Sequence, residues 1–196
     1  GRLALHTMGI EVSNYYASEV DKYSEGVSRV QFPDIIRLGD VNKIDFSKLP
    51  RIDLLIAGFP CQSFSFSGSQ KGLNEDRGKL FYKVLEALQV LQPKYFLFEN
   101  VKMKKEYQET ITKLIWENVD EDFYVYPINS SLVSAQNRQR IYWTNIPLLH
   151  TIKDKGILLK DIVTSGTVDR DKAYCVDANY YKGGDLRQYL TKKRRQ

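Results

Sequence analysis

The sequence predicts an α/β fold, with a mixed, mostly parallel sheet that carries helices on both faces. Two short apolar runs, 54–57 and 95–98, have the unbroken hydrophobic character of strands that are buried on both faces. Between them, apolar residues recur at spacings of three and four from Leu80 to Leu91, which predicts an amphipathic helix. A strand, a helix and a second strand in this order are typical of parallel strands joined by a crossover helix.

The other predicted elements continue this alternation on both sides of the central unit. We predict further strands at 11–17, 35–38, 123–126 and 141–143, and further helices at 22–30 and 104–118. From about residue 147 the alternation weakens, and Pro147 and several glycines punctuate the chain. We therefore predict one domain over 1–146 and a smaller, incomplete region over 147–196. In sheets of this type, ligands bind beyond the carboxyl ends of the strands.

Composition limits the class of protein without assigning a function. A chain of 196 residues, 42% hydrophobic and 27% charged, is sufficient for an ordinary folded domain, and it has no apolar run long enough to span a membrane. The net charge of +5 permits a nucleic-acid partner, although the basic run 192–195 holds most of that charge. The two cysteines and two histidines show no metal-ligand spacing, so no metal is expected, and Cys175 is interpreted as a buried, inert thiol.

Cys61 lies where the chain leaves the first apolar strand. The run Phe59-Pro60-Cys61-Gln62 follows that strand directly, which places the thiol in the expected ligand crevice. The polar, glycine-bearing stretch 63–78 is typical of a loop that closes over a substrate. Position alone favours an ordinary loop cysteine over a nucleophile.

Charged residues near the later strands favour the interpretation of Cys61 as a nucleophile. Glu99 follows four consecutive apolar residues, and the ends of neighbouring strands lie close together, so Glu99 and Cys61 are expected to face one pocket. Arg138 and Arg140 alternate on an incoming strand and therefore point to the same face. A thiol, a carboxyl group and two guanidiniums form a combination suited to nucleophilic attack with charge stabilisation. Capping of a helix by Glu99 and surface ion pairs of the arginines remain the alternatives.

Four ordered motifs resemble the DNA cytosine-5 methyltransferase family. They are Gly-Phe-Pro-Cys-Gln at 58–62, Arg-Gly-Lys-Leu-Phe at 77–81, Phe-Glu-Asn-Val at 98–101 and Gln-x-Arg-x-Arg at 136–140. The resemblance implies a Rossmann-like, S-adenosylmethionine-dependent methyltransferase of bacterial or phage type that acts on duplex DNA. The region 1–146 would then be catalytic, and 147–196 would begin the target-recognition region.

The resemblance also implies a mechanism and a set of site residues. Cys61 would add to carbon 6 of a flipped-out cytosine, Glu99 would hydrogen-bond the ring, and Arg138 and Arg140 would hold the carbonyl oxygen. Substrate binding would involve Phe59, Gln62, Ser65, Ser67, Arg77 and Asn100. The cofactor would contact Glu19, Val20, Asp40, Val41, Pro60 and Leu80.

Departures from the family pattern suggest an internal fragment of a larger enzyme. The glycine-rich cofactor motif is missing apart from Gly1, and the late motifs do not occur before Gln196. A tRNA cytosine-5 methyltransferase is one alternative, although the Cys-Phe-Thr motif of that group is absent. A catalytically inactive DNA-binding or regulatory relative is another. The protein is expected to be a monomer, cytoplasmic if it is bacterial or phage-encoded and nuclear if it is eukaryotic. The sequence does not specify whether its role is restriction-modification, phage self-protection or regulation.

Overall fold

The computed structural model describes residues 1–59 and 76–175, without the side chains of 76–79. Four helices are described: α1 (Arg2–Thr7), α2 (Lys22–Gln31), α3 (Asp76–Leu91) and α4 (Lys105–Trp116). Eight strands are described: β1 (Tyr16–Ser18), β2 (Ile36–Gly39), β3 (Leu54–Gly58), β4 (Tyr95–Val101), β5 (Tyr124–Asn129), β6 (Gln136–Asn137), β7 (Gln139–Thr144) and β8 (Ala173–Tyr174).

The chain divides into two compact units. The first contains Gly1–Phe98 and Met103–Asp122, and the second contains Glu99–Lys102 and the chain from Phe123 onward. Strands β1 and β2 form a parallel pair in the first unit. In the second, β5 and β7 are antiparallel, and β6 and β8 are parallel. A four-stranded sheet has the order β3-β4-β7-β5, so β4 contributes residues to both units.

Local chemistry explains where the helices begin and end. Helix α2 begins at Lys22 because the Asp21 carboxylate accepts hydrogen bonds from the main-chain N–H groups of Tyr23 (3.0 Å) and Ser24 (2.8 Å). These bonds, with that to Ser24 the largest cause, lower the pKa of Asp21 below its ordinary value. Helix α3 ends at Leu91, because Gln92 adopts a φ of 41° directly before Pro93.

The core of the first unit is built from aromatic and aliphatic side chains of α3, β4 and α4. Phe81, Phe96 and Phe98 are at most 1% exposed, and Ile111 and Ile115 are fully buried. The rings of Phe96 and Phe98 lie 5.0 Å apart. In the second unit, the buried side chains include Ile141 and Trp143 of β7.

We expect Ile115→Ala to lower the free energy of unfolding by about 2–5 kcal/mol, because it leaves a cavity in a fully buried position. Urea denaturation followed by circular dichroism measures this change. Val30→Ala is the matched control: Val30 is 84% exposed, and its truncation should alter stability by no more than about 0.5 kcal/mol. Equal losses in the two variants would contradict the description of this core.

The mixed α/β architecture and most of the predicted elements agree with the structure, with several differences, among them the short strands β6 and β8, which were not predicted. The strand predicted over 11–17 is confined to Tyr16–Ser18, and helix α1 was not predicted. Strand β4 continues three residues beyond the apolar run and ends at Val101, so Glu99 lies inside the strand, near its carboxyl end. Main-chain pairing within the sheet sets the length of β4, and this pairing does not require an apolar side chain at every position.

Candidate active site

Glu99 and the two predicted arginines meet within the second unit. Along β4, Phe96, Phe98 and Asn100 are buried on one face, and Glu99 therefore projects from the other. Arg140 lies in β7, paired with Ile128 of β5, and Arg138 lies directly before β7. Alternation along the chain from Arg138 places both guanidiniums on one side, as the sequence predicts.

Both arginines contact the same carboxylate oxygen. Arg140 Nε lies 2.6 Å from Glu99 Oε1, and Arg138 Nη2 lies 3.9 Å from it. The Arg140 contact is an ion pair only, because its Nε–H does not have hydrogen-bond geometry towards any partner in the described structure. The Arg140 side chain is 13% exposed, whereas that of Arg138 is 42% exposed. Burial strengthens the Arg140 pair, since a desolvated ion pair is screened less by solvent.

Tyr142 lies two residues beyond Arg140 along β7, and the charges of this cluster affect the pKa of its hydroxyl. Burial is the largest cause that raises the pKa of its hydroxyl above the ordinary value. The negative charge of Glu99 raises this pKa further, and the positive charges of Arg138 and Arg140 oppose the increase. Tyr142 was not predicted as a site residue, although its two-residue spacing from Arg140 places it on the same strand face.

Asn129 fixes the main chain around Arg138. Its Oδ1 accepts hydrogen bonds from the N–H groups of Arg138 (3.0 Å) and Ser131 (3.2 Å). Its Nδ2 donates to Asn137 Oδ1 at 2.9 Å. The side-chain amide of Asn129, at the end of β5, thus helps to hold the connection between β6 and β7, from which the Arg138 side chain extends towards Glu99.

Cys175 completes the cluster and corrects a sequence interpretation. Its side chain is half-buried, not fully buried, because β8 pairs with β6 and brings the next residue to the arginines. Arg138 Nη1 donates to Cys175 Sγ at 3.2 Å, and Arg140 Nη2 lies 3.9 Å from the same sulfur. No local sequence pattern predicts this approach, because it depends on pairing between distant segments.

The predicted cofactor residues of the first unit gather at one edge of the β1–β2 pair. Ser18 pairs with Gly39 at the ends of these parallel strands, and the Ser18 hydroxyl donates to the Gly39 carbonyl at 2.6 Å. Glu19 and Val20 follow β1, and Asp40 follows β2. Gly39 has a φ of 73°, a left-handed conformation that favours glycine, and this turn leads the chain into Asp40.

The two carboxylates at this edge are oriented by nearby donors. Glu19 Oε1 accepts from the N–H groups of Val20 and Asp21, each at 2.8 Å. Asp40 Oδ1 accepts from the N–H and the Nδ2 of Asn42, each at 3.0 Å, and these bonds lower the pKa of Asp40. Val20 is 74% exposed beside them. Val41, which follows Asp40, is half-buried.

The other predicted site residues are described only in part. Phe59 is buried with its ring 4.6 Å from that of Phe81, and Leu80 is half-buried at the start of α3. Asn100 is 3% exposed, and its Oδ1 accepts from the N–H of Val101 at 2.8 Å. The main chain of Arg77 lies in the first turn of α3. The remaining predicted site residues lie outside the described residues: Pro60, Cys61, Gln62, Ser65 and Ser67.

Within 1–59 and 76–175, histidine, cysteine and acidic side chains form no group of three that could hold a metal ion. The helices in this part of the chain are too short or too polar to cross a membrane.

The chain matches the C-5 cytosine-specific DNA methylases over residues 1–163, and it belongs to that family. The family is S-adenosylmethionine-dependent. The orphan methyltransferase M.Rho11sI of Bacillus phage rho11s is 37% identical over 154 residues, covering 71% of this chain and 29% of that protein. The type II methyltransferase M.NgoBI of Neisseria gonorrhoeae is 34% identical over 190 residues, covering 90% of this chain and 56% of that protein.

A solved structure confirms the fold class. A mutant of DNMT2 from Spodoptera frugiperda matches with a TM-score of 0.67 at 20% identity, covering 92% of this chain and 67% of that one. Identity at this level establishes the fold alone. The chain spans only 29% to 56% of the length of the two sequence relatives described above.

Proposed function

We propose that this protein transfers a methyl group to carbon 5 of a flipped-out cytosine in duplex DNA. The observation that carries the proposal is the cluster of Glu99, Arg138 and Arg140, joined by contacts of 2.6 Å and 3.9 Å in one unit. These residues occupy the family's Glu-Asn-Val and Gln-x-Arg-x-Arg motifs. A carboxyl group beside two guanidiniums suits a polar ring that accepts and donates hydrogen bonds.

The proposed reaction begins at the cytosine ring. The Cys61 thiolate forms a bond to carbon 6, and the electron pair displaced from the 5–6 double bond makes carbon 5 a nucleophile. Glu99 hydrogen-bonds ring nitrogen 3 and the exocyclic amine, while Arg140, with Arg138, holds the carbonyl oxygen where negative charge develops. After methylation, a base derived from solvent accepts the proton of carbon 5. The electron pair of that C–H bond re-forms the 5–6 double bond, and Cys61 leaves carbon 6 as a thiolate, which restores the aromatic ring.

Access to these atoms requires base flipping, because carbon 6 and the edge of the ring are enclosed within a stacked duplex. In this proposal the Phe59 carbonyl accepts from the cytosine amine. The family resemblance implies that the segment 63–78, most of which lies outside the described residues, would close on the DNA, with Ser67 near the space that the base leaves. Gln62, Ser65, Arg77 and Asn100 contribute to substrate binding.

The edge of the β1–β2 pair fits a nucleoside cofactor. Hydrogen bonds in the described structure use Oε1 of Glu19 and Oδ1 of Asp40. Each carboxylate therefore retains a second oxygen, suited to a ribose hydroxyl in the case of Glu19 and to the adenine amine in the case of Asp40. Val20 and Val41 would pack on the adenine ring, and Pro60 and Leu80 would line the same site. When bound, S-adenosylmethionine supplies the electrophilic methyl group.

We expect Glu19→Gln to weaken S-adenosylmethionine binding about tenfold, since a charge-assisted hydrogen bond contributes about 1.5–3 kcal/mol. Isothermal titration calorimetry measures the dissociation constant. Glu109→Gln is the matched control, because Glu109 is 65% exposed on α4 and pairs only loosely with Lys105 at 3.5 Å. Unchanged cofactor affinity in the Glu19 variant would remove this residue from the proposed site.

The experiment that tests the proposed function compares substrates directly. The full chain, as its gene encodes it, is incubated with tritiated S-adenosylmethionine and with either duplex DNA or tRNA. Methylation at cytosine carbon 5 of DNA, and not of tRNA, is expected. Transfer to tRNA alone would favour the RNA-modifying alternative, and transfer to neither substrate would favour an inactive DNA-binding relative.

A further inference from the structure

Lys172 makes three contacts with main-chain carbonyl groups in the second unit. Its Nζ donates to the carbonyl oxygens of Ile157 at 2.5 Å, Ser131 at 2.8 Å and Ser134 at 3.2 Å. An ammonium group has three N–H donors, so these contacts account for all of them. Lys172 is half-buried, unlike a lysine whose head group is fully solvated.

The three carbonyls belong to segments that lead to the arginine cluster. Ser131 and Ser134 lie in the turn between β5 and β6, and Ile157 lies in the segment that precedes β8. The Lys172 ammonium therefore joins the turn before β6 to the segment before β8. Lys172 directly precedes Ala173, the first residue of β8, and Ala173 is the residue at which β8 pairs with β6.

The pairing of β6 with β8 determines what lies against the arginines. Gln136 pairs with Ala173, and the Ala173 N–H donates to the Ala135 carbonyl at 2.7 Å. Cys175 follows β8 as Arg138 follows β6, and the Cys175 sulfur then accepts from Arg138 Nη1 at 3.2 Å. A two-residue strand pair has little stability of its own. Contacts beside it therefore help to hold this register: those of Lys172, and the contact of Gln136 Nε2 with the Tyr174 carbonyl at 3.4 Å.

We propose that Lys172 is a positioning residue for Arg138 and Arg140. By fixing β8 beside β6, it holds Cys175 against both guanidiniums and restricts them to the orientation in which they meet Glu99. The catalytic consequence of this positioning rests on the proposed function, whereas the positioning itself does not. Arg138 depends on it more than Arg140, because Arg138 is the more exposed arginine and lies closer to the sulfur.

The test compares Lys172→Met, which keeps the length of the side chain and removes its donors, with Lys160→Met in the full chain. Lys160 is exposed in a short 3-10 turn and serves as the matched control. The first readout is the rate at which p-hydroxyphenylglyoxal modifies Arg138 and Arg140, followed by mass spectrometry of the peptide that contains them. We expect this rate to rise in Lys172→Met and to remain unchanged in Lys160→Met.

The second readout separates positioning from general stability. We expect kcat for DNA methylation to fall about tenfold in Lys172→Met, because small displacements of catalytic groups are costly, while KM for DNA stays within about twofold. In a Cys175→Ala background the same substitution should have little further effect, since the contact through which it acts has already been removed. If Lys172→Met does not fold, Lys172→Gln, which retains two donors, is tested in the same way.

The possible results separate this inference from the proposed function. An unchanged arginine modification rate in the Lys172 variant overturns the positioning role, whatever the methylation assay gives. A raised KM with unchanged kcat also overturns it. If the unaltered protein methylates no DNA, the proposed function fails, and the arginine modification rate still decides whether Lys172 positions the pair.

Discussion

We expect Cys61→Ser to abolish methyl transfer, with a fall in kcat of about 10⁴-fold or more. A serine hydroxyl is far less acidic than a thiol and supplies almost no anion at neutral pH, so addition to carbon 6 is lost. Incorporation of tritium from labelled S-adenosylmethionine into duplex DNA measures the effect. DNA affinity should remain close to that of the unaltered protein, because the substitution is nearly isosteric.

Cys175→Ser provides the matched control for this variant. It makes the same chemical change at a thiol that contacts Arg138, and the serine hydroxyl can still accept from that guanidinium. We expect kcat to fall by less than about tenfold, in keeping with loss of part of one hydrogen bond. Comparable losses in the two serine variants would mean that Cys61 has no special role.

Glu99→Gln is expected to lower the single-turnover rate by about 10²–10⁴-fold, the range of general acid–base contributions, while the dissociation constant for DNA changes less than about twofold. The amide keeps the shape of the side chain but removes the charge that pairs with Arg140 at 2.6 Å. It also removes the carboxyl group that would exchange a proton with ring nitrogen 3. Rapid-quench measurement of methyl transfer from a preformed complex isolates this step from binding.

Glu117→Gln controls for loss of a glutamate charge. Glu117 is 53% exposed at the end of α4 and lies 3.8 Å from Lys113, an exposed pair that contributes little. Its rate and DNA affinity should match those of the unaltered protein. If Glu99→Gln instead weakened DNA binding and left the rate per bound complex intact, the assigned role of Glu99 would be wrong.

Local patterns in the sequence predict the helix and strands that position the site. The patterns of apolar residues correctly predict helix α3 and strands β3 and β4. The alternation of Arg138 with Arg140 correctly places both guanidiniums on one face. The apolar run places Glu99 near the end of β4, but it does not give the last residue of the strand, because it reports burial and does not report how far main-chain pairing extends. Predicted roles that involve Cys61 lie outside the described residues and remain predictions.

These local patterns do not predict contacts between residues that are far apart in the sequence. Cys175 meets Arg138 across 37 positions of sequence, and Lys172 meets Ser131 across 41. Strand β8 has only two residues, too few for a recognisable alternation. Such contacts depend on the register of one short strand against another, and a single sequence carries no periodic feature that specifies this register.

The central claim is that Cys61 forms a covalent bond to cytosine carbon 6, and trapping with 5-fluorocytosine tests it most directly. Fluorine at carbon 5 cannot leave as the proton does, so the adduct persists after methylation. The full chain is incubated with S-adenosylmethionine and duplex DNA that contains 5-fluorocytosine, and peptides are then analysed by mass spectrometry. We predict a DNA adduct on the peptide that contains Cys61, absent from Cys61→Ser. An adduct of equal yield in the serine variant, or one located on Cys175, would contradict the account.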